Sequence, residues 1–201
     1  MASPQDIIKA MVASLHQTRL KALGFRKSGA TWVRPLSWPQ VINIQLSKWN
    51  SSTEASFTVN LGISIEALHV ASEGLPLKGS LKEYECDVRT RIGNLLPSKQ
   101  DKWWVVNQNS DPDELAEDVF VQLDQFGLPW FEKLVDYPAI ALVFAERKTP
   151  FMAALAYHLA NDPVAAEKAM NQAYAESGEF FWPKLKRVAL AMGIPVKGMT
   201  A

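Results

Sequence analysis

The sequence predicts an α+β fold: a mostly antiparallel sheet of about five strands with helices packed on one face, plus an all-helical C-terminal extension. Three observations support this prediction. A capped amphipathic helix comes first, several short runs of alternating apolar and polar residues follow it, and the last third is alanine-rich and helical in pattern. Strands that are grouped along the chain, rather than alternating one by one with helices, are typical of α+β folds.

The first element is a helix near the N-terminus. Ser3 is a suitable N-cap, Pro4 suits the first helical position, and Asp6 completes a pattern like a capping box. Apolar residues then recur at helical spacing from Ile8 onwards. Gly24 is placed to end this helix, because glycine readily adopts the left-handed conformation of a C-terminal cap.

Two alternating runs predict a β-hairpin in the first half of the chain, "VINIQLSKW" from residue 41 and "SFTVNLGI" from residue 56. A four-residue loop at 50–53 would place Trp49 opposite Glu54. Polar residues then face polar residues and apolar residues face apolar ones, as a fixed register requires. The polar pairs are Asn43 with Asn60, Gln45 with Thr58, and Ser47 with Ser56.

The remaining strands are shorter. Alternating or β-branched runs predict strands at 30–35, 84–93 and 102–106. Between them, the segment 64–83 has no clear periodicity, and its glycines and proline, up to Gly79, indicate a loop or a broken helix. The order of these runs gives the predicted sheet of about five strands.

Helices account for the rest of the chain. Asp111 is the N-cap of a helix that Gly127 would end, and a short helix follows. Two N-cap–proline pairs then begin helices at about 150–160 and 163–177, and a further helix covers roughly 180–192.

Composition argues against several classes of partner. Lysine plus arginine number 21 and aspartate plus glutamate number 21, so the chain has no net charge to attract nucleic acid or an anionic membrane. The same neutrality permits a homodimer. The N-terminus lacks the apolar core of a signal peptide, and the single cysteine cannot form an intrachain disulfide. We therefore expect a soluble cytoplasmic protein with no nucleic-acid or membrane partner.

No catalytic or cofactor motif is present. The chain has neither a glycine-rich phosphate loop nor a nucleophile elbow. The histidines are too far apart for a zinc site: His16, His69 and His158. Three acids share one helix face and could bind a divalent cation, although acids near a helix start are favoured by the dipole and by solvent: Glu114, Glu117 and Asp118. We predict no metal and no cofactor. Cys86 is predicted to be buried on the apolar side of its strand, beside Val88 and Ile92.

The polar face of the hairpin is the best candidate for a functional surface. Its polar residues are nearly all uncharged, whereas a face that is merely solvated would accept charged residues equally well. Neighbouring arginines and one of the adjacent Trp103 and Trp104 are expected to lie beside it, since consecutive strand residues face opposite sides. The candidate ligand- or partner-binding residues are Asn43, Gln45, Ser47, Trp49, Ser56, Thr58, Asn60, Arg89 and Arg91.

Three hypotheses for function remain open at this point. The first is a non-enzymatic binding module that recognises a protein or a small polar ligand, with Arg91 pairing with an acidic group. The second is a hydrolase or transferase with acid–base residues assembled from distant segments, such as Glu85, Asp87 or His69 together with the arginines. The third is a purely structural module in which the helical tail supplies a dimer interface.

A series of short motifs resembles the bacterial domain-of-unknown-function family 4304. They are "LGF", "TWVR", "VINIQLSKW", "FTVNLGI", "RIGNL", "WW" and "GLPWFEKL", in this order. The resemblance covers roughly residues 15–135 and implies an α+β domain without an activity to transfer. It also favours a boundary near 136. We predict an α+β core domain at 1–136 and a helical C-terminal extension or subdomain at 137–201.

Overall fold

The computed structural model describes residues 2–76 and 81–196 and confirms the α+β fold. Its sheet is antiparallel and has six strands in the described part of the chain, one more than expected. The additional strand is β1, a three-residue edge strand that is too short to show alternation. The strands are β1 Arg26–Ser28, β2 Thr31–Arg34, β3 Gln40–Leu46, β4 Glu54–Ile63, β5 Val88–Arg91 and β6 Trp104–Asn107.

Strand β4 organises the sheet. Strands β1, β2, β3 and β4 are neighbours in chain order, and β3 lies along one edge of β4. The other edge of β4 is shared by two strands, since β5 pairs with residues 60–63 and β6 pairs with residues 54–57. Strand β4 therefore has neighbouring strands along both of its edges, and eight of its ten residues are buried.

The register of the β3–β4 hairpin is confirmed. Asn43 pairs with Asn60 and Gln45 with Thr58, and the Ser47 N–H donates to the Ser56 carbonyl at 2.9 Å. The predicted four-residue loop is wrong, because β3 ends at Leu46 and Trp49 has no partner in the ladder. Within the wider loop, the Asn50 side-chain amide donates to the Ser56 carbonyl and accepts from the Ser56 N–H.

The helices that pack on the sheet lie on its apolar face. Helix α4 reaches this face through a hydrogen bond from the Trp104 indole N–H to Asp118, at 2.6 Å. The turn after α4 brings Gly127 against Leu61 and Ile92. The helices are α1 Pro4–Leu15, α2 Glu66–Glu73, α3 Ile92–Leu95, α4 Pro112–Gln122, α5 Leu128–Lys133, α6 Tyr137–Glu146, α7 Pro150–Leu159, α8 Pro163–Glu176 and α9 Trp182–Met192.

The capping predictions are confirmed at three helix starts. The Ser3 hydroxyl accepts from the Asp6 N–H at the start of α1, and the Asp111 carboxylate accepts from two N–H groups at the start of α4. At the start of α8, the Asp162 carboxylate accepts from the Ala165 N–H. The predicted cap at Thr149 is wrong, because its hydroxyl donates to the Phe144 carbonyl instead.

The predicted helix end at Gly127 is wrong, because the chain continues through a π-type turn, Leu123–Gly127, directly into α5. Gly127 instead provides a close approach between this turn and the sheet.

Two further predictions concern the middle of the chain. The segment expected to be a loop or a broken helix contains the short helix α2, while Gly79 lies outside the described residues. The strand expected at 84–93 is only β5, and it follows a 3₁₀ turn at Glu83–Glu85. Cys86 follows that turn and lies on the polar side of the sheet over Gly62, rather than on the apolar side. It is buried as predicted.

Contacts within the chain define two compact units among the described residues. The first contains residues up to 65 and from 81 to 132, and it includes the whole sheet. The second contains residues 66–76 and those from 133 onwards, and it is helical. The domain boundary at 136 stays a prediction. Within the part of the chain that the structure describes, no helix is both long and apolar enough to cross a membrane.

Candidate functional site

A polar cleft of about 280 Å³ lies on the sheet face that the sequence singled out. Because alternate residues of a strand face the same side, the paired residues Asn60–Arg91 and Gly62–Arg89 place both arginines on this face. Every residue that lines the cleft carries a polar side chain. They are Gln45, Asn60, Glu83, Arg89, Thr90, Arg91 and Asn94.

The floor of the cleft is an amide pair on the central hairpin. The Asn60 side-chain amide donates to the Gln45 side-chain carbonyl at 2.7 Å, diagonally across β3 and β4. Asn60 is only 5% exposed, whereas Gln45 is exposed. The pair thus combines one fixed amide with one that solvent or a ligand can reach.

One wall of the cleft is an ion pair between Glu83 and Arg89. The guanidinium donates to both carboxylate oxygens, at 2.8 and 3.2 Å, in a bidentate arrangement. Glu83 is 7% exposed, and its hydrogen bond raises the pKa of Arg89 above the ordinary value. A buried carboxylate needs such a partner, so Arg89 neutralises Glu83 and is not free to bind another anion.

Arg91 is the second cation of the cleft, and its environment differs from that of Arg89. One guanidinium nitrogen lies 2.6 Å from the Asp101 carboxylate, and the side chains of Arg91 and Asp101 are 38% and 42% exposed. The Trp103 indole N–H donates to the same Asp101 oxygen, and the Arg91 guanidinium lies 5.6 Å from the Trp103 ring centroid. Ion pairs as exposed as this one contribute about 0–1 kcal/mol, so a carboxylate from a ligand can replace Asp101 at little cost.

Two glycines allow the chain to build this cleft. A Cβ at Gly62 would lie 2.7 Å from the Cys86 sulfur, so only glycine lets Cys86, and the 3₁₀ turn before it, cross the polar face of β4. A Cβ at Gly93 would lie 2.3 Å from the Gln100 carbonyl oxygen. Gly93 therefore lets residues 100–102 pass against α3, which brings Asp101 beside Arg91.

Four of the nine candidate residues line the cleft together: Gln45, Asn60, Arg89 and Arg91. The other five lie outside it and mostly bond within the protein. The Asn43 amide donates to the Thr31 hydroxyl, the Ser47 hydroxyl accepts from the Trp49 N–H, and Ser56 bonds Asn50 through its backbone. Thr58 is fully buried, and its hydroxyl donates to the Lys102 carbonyl at 2.8 Å. Trp49 is 83% exposed in the hairpin loop, with the Lys48 ammonium over its ring.

Sequence reasoning missed three lining residues: Glu83, Thr90 and Asn94. Glu83 and Asn94 lie just outside β5, on the 3₁₀ turn and on α3, where a strand of residues 84–93 would not have placed them. Glu83 precedes Arg89 by six residues, and no short-range pattern signals a pair at that separation. Trp103, in contrast, lies beside Arg91 as the alternation of the two tryptophans predicts.

The acids proposed for the enzyme alternative have structural hydrogen bonds. A Glu85 carboxylate oxygen accepts from the Lys82 N–H within the 3₁₀ turn. An Asp87 oxygen accepts from the Ile65 N–H at 2.7 Å. His69 lies on α2 in the second unit.

The acidic face of α4 is only partly solvated. Glu117 pairs with Arg19 at 2.8 Å, and Asp118 accepts from the buried Trp104 indole. Over residues 2–76 and 81–196, no three His, Cys, Asp or Glu side chains are grouped so that they could hold a metal ion.

Comparison with known proteins agrees with the motif series. The model of the family described as a domain of unknown function, DUF4304, matches residues 16–133, which is more than half of the chain and includes every strand of the sheet. Comparison with curated proteins and with solved structures finds no match. The matched range includes all seven residues of the cleft. The chain belongs to the DUF4304 family.

Proposed function

We propose that the protein is a non-enzymatic binding module whose cleft takes a carboxylate group, carried by a protein partner or by a small polar ligand. The observation that supports this proposal is the contrast between the two arginines. Both arginines are partly exposed, but Arg89 pairs with the buried Glu83 carboxylate, whereas the acid that pairs with Arg91, Asp101, is itself 42% exposed. The cleft therefore offers a guanidinium group, that of Arg91, which can exchange Asp101 for a ligand carboxylate. Beside it lies the amide pair of Asn60 and Gln45.

The roles follow from the geometry. Arg91 provides the charge and two parallel donors for a carboxylate, and Trp103 limits the orientations of its guanidinium through a cation–π contact. Gln45 and Asn60 provide neutral hydrogen-bonding groups for the atoms next to that carboxylate. Among the described residues that line the cleft, the one carboxylate is that of Glu83, and it is hydrogen-bonded to Arg89. This lining therefore contains no free carboxylate for acid–base catalysis. We therefore favour binding over the hydrolase or transferase alternative.

A titration followed by NMR tests this function. The isotope-labelled protein is titrated with capped tripeptides Ac-Gly-Glu-Gly-NH2 and Ac-Gly-Asp-Gly-NH2, and with Ac-Gly-Gln-Gly-NH2 as the neutral control. We expect the acidic peptides alone to shift the Arg91 side-chain signal and the side-chain amides of Gln45 and Asn60. Removing the charge with Arg91→Gln should weaken this binding by about fivefold or more, the effect of roughly 1 kcal/mol.

The control variant is Arg26→Gln, because Arg26 is an exposed residue of the edge strand β1 and lines no described cleft. It should bind like the wild type. Affinity capture with the wild type and with the triple variant Gln45→Ala/Asn60→Ala/Arg91→Ala then identifies partners. Equal response to the acidic and neutral peptides, or identical captured proteins from both baits, would contradict the proposed site.

A further inference from the structure

The second unit carries two adjoining surface depressions along α7 and α8. The first, of about 260 Å³, lies between the two helices, with Lys148 and Lys168 at its sides. The second, of about 380 Å³, is lined mainly by apolar side chains, among them Phe151 and Phe181. Lys148 and Pro150 line both depressions, so the two form one continuous groove.

The first depression has more positive than negative charge along its lining, and the nearest acid in the groove is Glu176 of the second depression. Its nine lining residues include two lysines and no carboxylate. Within residues 2–76 and 81–196, neither Lys148 nor Lys168 forms a salt bridge. Lys184 of the same unit differs, since it pairs with Glu73 at 2.7 Å. Two exposed ammonium groups over one depression favour an anionic ligand.

The floor of the first depression is made of small side chains. Ala153 of α7 and Ala169 of α8 are buried there, and they leave room between the helices that larger residues would fill. Tyr157 and Gln172 also line this depression. The Gln172 amide donates to Glu176 at 2.9 Å, and its side-chain oxygen can accept from a peptide main chain, as polar groups at the edge of a ligand groove commonly do.

The second depression is mainly apolar. The Phe151 and Phe181 rings meet edge to face at a centroid distance of 5.5 Å. Met152 and Pro150 complete its apolar lining, and Glu176 is its one acidic residue. An aromatic pair beside a methionine is typical of a pocket that accepts a bulky apolar side chain.

We propose that this groove binds a short acidic peptide segment in which a bulky apolar residue is adjacent to one or two carboxylates. The carboxylates lie between Lys148 and Lys168, and the apolar side chain lies against Phe181. Two cations are too few to hold a nucleic-acid backbone, whose binding relies on many phosphate contacts. This site belongs to the second unit and is independent of the cleft on the sheet.

Selection from a random displayed heptapeptide library on the immobilised full-length protein tests the proposal. The charge-removing variant is Lys148→Asn/Lys168→Gln. Asparagine suits position 148 because Lys148 has φ +55°, a left-handed conformation that asparagine tolerates. We expect wild-type protein to enrich peptides with Asp or Glu next to a large apolar residue. The selected peptides should bind the variant about tenfold more weakly, with the wild-type affinity falling as salt is raised.

Two further variants make the result specific. Lys186→Gln removes an exposed cation of α9 that lines neither depression, and it should select the same peptides as the wild type. Phe181→Ala should lose the preference for a large apolar residue and keep the preference for acids, with its fold checked by thermal unfolding. Arg91→Gln should have no effect, which separates this site from the cleft. No enrichment, enrichment without acidic residues, or equal binding by Lys148→Asn/Lys168→Gln would overturn the proposal.

Discussion

Replacing Gly62 with alanine tests how Cys86 packs over the central strand. The new Cβ would lie 2.7 Å from the Cys86 sulfur and 2.8 Å from its Cβ, and both distances are shorter than non-bonded contacts of a Cβ atom. Forcing atoms into such a site typically costs about 1–3 kcal/mol. Against this, alanine in a strand interior is favoured over glycine by about 0.5–1 kcal/mol. We expect Gly62→Ala to lower the free energy of unfolding by about 1–2 kcal/mol.

A double variant tests whether the clash between residues 62 and 86 is the cause, because it adds a methyl group at 62 and removes the side chain at 86. In the double variant Gly62→Ala/Cys86→Gly, the methyl group occupies the space that the cysteine leaves. The two substitutions should then be less destabilising together than the sum of their separate effects, by about 1 kcal/mol or more, within the range found for residues in contact. This coupling energy is the most direct measure of the Gly62–Cys86 contact.

The measurement is urea unfolding of the wild type, Gly62→Ala, Cys86→Gly and the double variant, followed by tryptophan fluorescence and by far-UV circular dichroism. Trp32 and Trp104 are buried in the unit that contains the sheet, so fluorescence reports on its unfolding. Gly178→Ala is the control, because no atom lies within 4 Å of a Cβ at Gly178, and the change should stay within about 0.5 kcal/mol. A Gly62→Ala protein that is as stable as the wild type, or additive effects in the double variant, would refute the reasoning.

Three other predictions concern Gly93, Cys86 and Asp118. Gly93→Ala should lower the free energy of unfolding by about 3 kcal/mol, which is more than for Gly62→Ala, because the clash is with the Gln100 backbone and no side chain can move to relieve it. A urea midpoint equal to that of wild type would contradict this. Burial raises the pKa of the Cys86 thiol to about 12, so the folded protein keeps a proton that the unfolded chain loses above about pH 8.5. Its stability should therefore fall as pH rises from 9 to 11, with a smaller slope in Cys86→Ala, and native protein should resist iodoacetamide at pH 8 in a mass-spectrometric assay. Asp118→Ala leaves the buried Trp104 N–H without its acceptor and should cost about 1–3 kcal/mol in urea unfolding, whereas Asp118→Asn keeps an acceptor oxygen and should cost less; equal losses would exclude the hydrogen bond as the cause.

The hairpin shows how much of the fold the sequence could predict. Its register followed from matching polar and apolar residues over a long pair of strands, which is a local pattern that tertiary contacts reinforce. The strand at 84–93 was wrong because its alternation is local too, whereas its true length depends on Gly62, more than twenty residues earlier in the chain. The absence of a side chain at Gly62 on β4 leaves room for the turn before β5, and no local sequence pattern contains that information.

The candidate site was predicted only in part for the same reason. The face of the sheet was correct for both arginines, since alternation fixes it once the register is known. Which polar residues remain available to a ligand was not predictable, because it depends on hydrogen bonds across the fold. Thr58 bonds a carbonyl forty-four residues away, and Glu83 neutralises Arg89 but not Arg91.

The shared edge of β4 has a consequence for how recognition can change in such a protein. Between β5 and β6 the chain leaves the sheet, and the exposed residues 97–101 of this excursion contribute no ladder hydrogen bond. Asp101, which pairs with Arg91, lies at the end of that stretch. Under the proposed function, a substitution of Asp101 would alter which anion the cleft prefers while every strand pairing is retained. The residue that tunes the preference would then lie outside the ladders that position the binding residues.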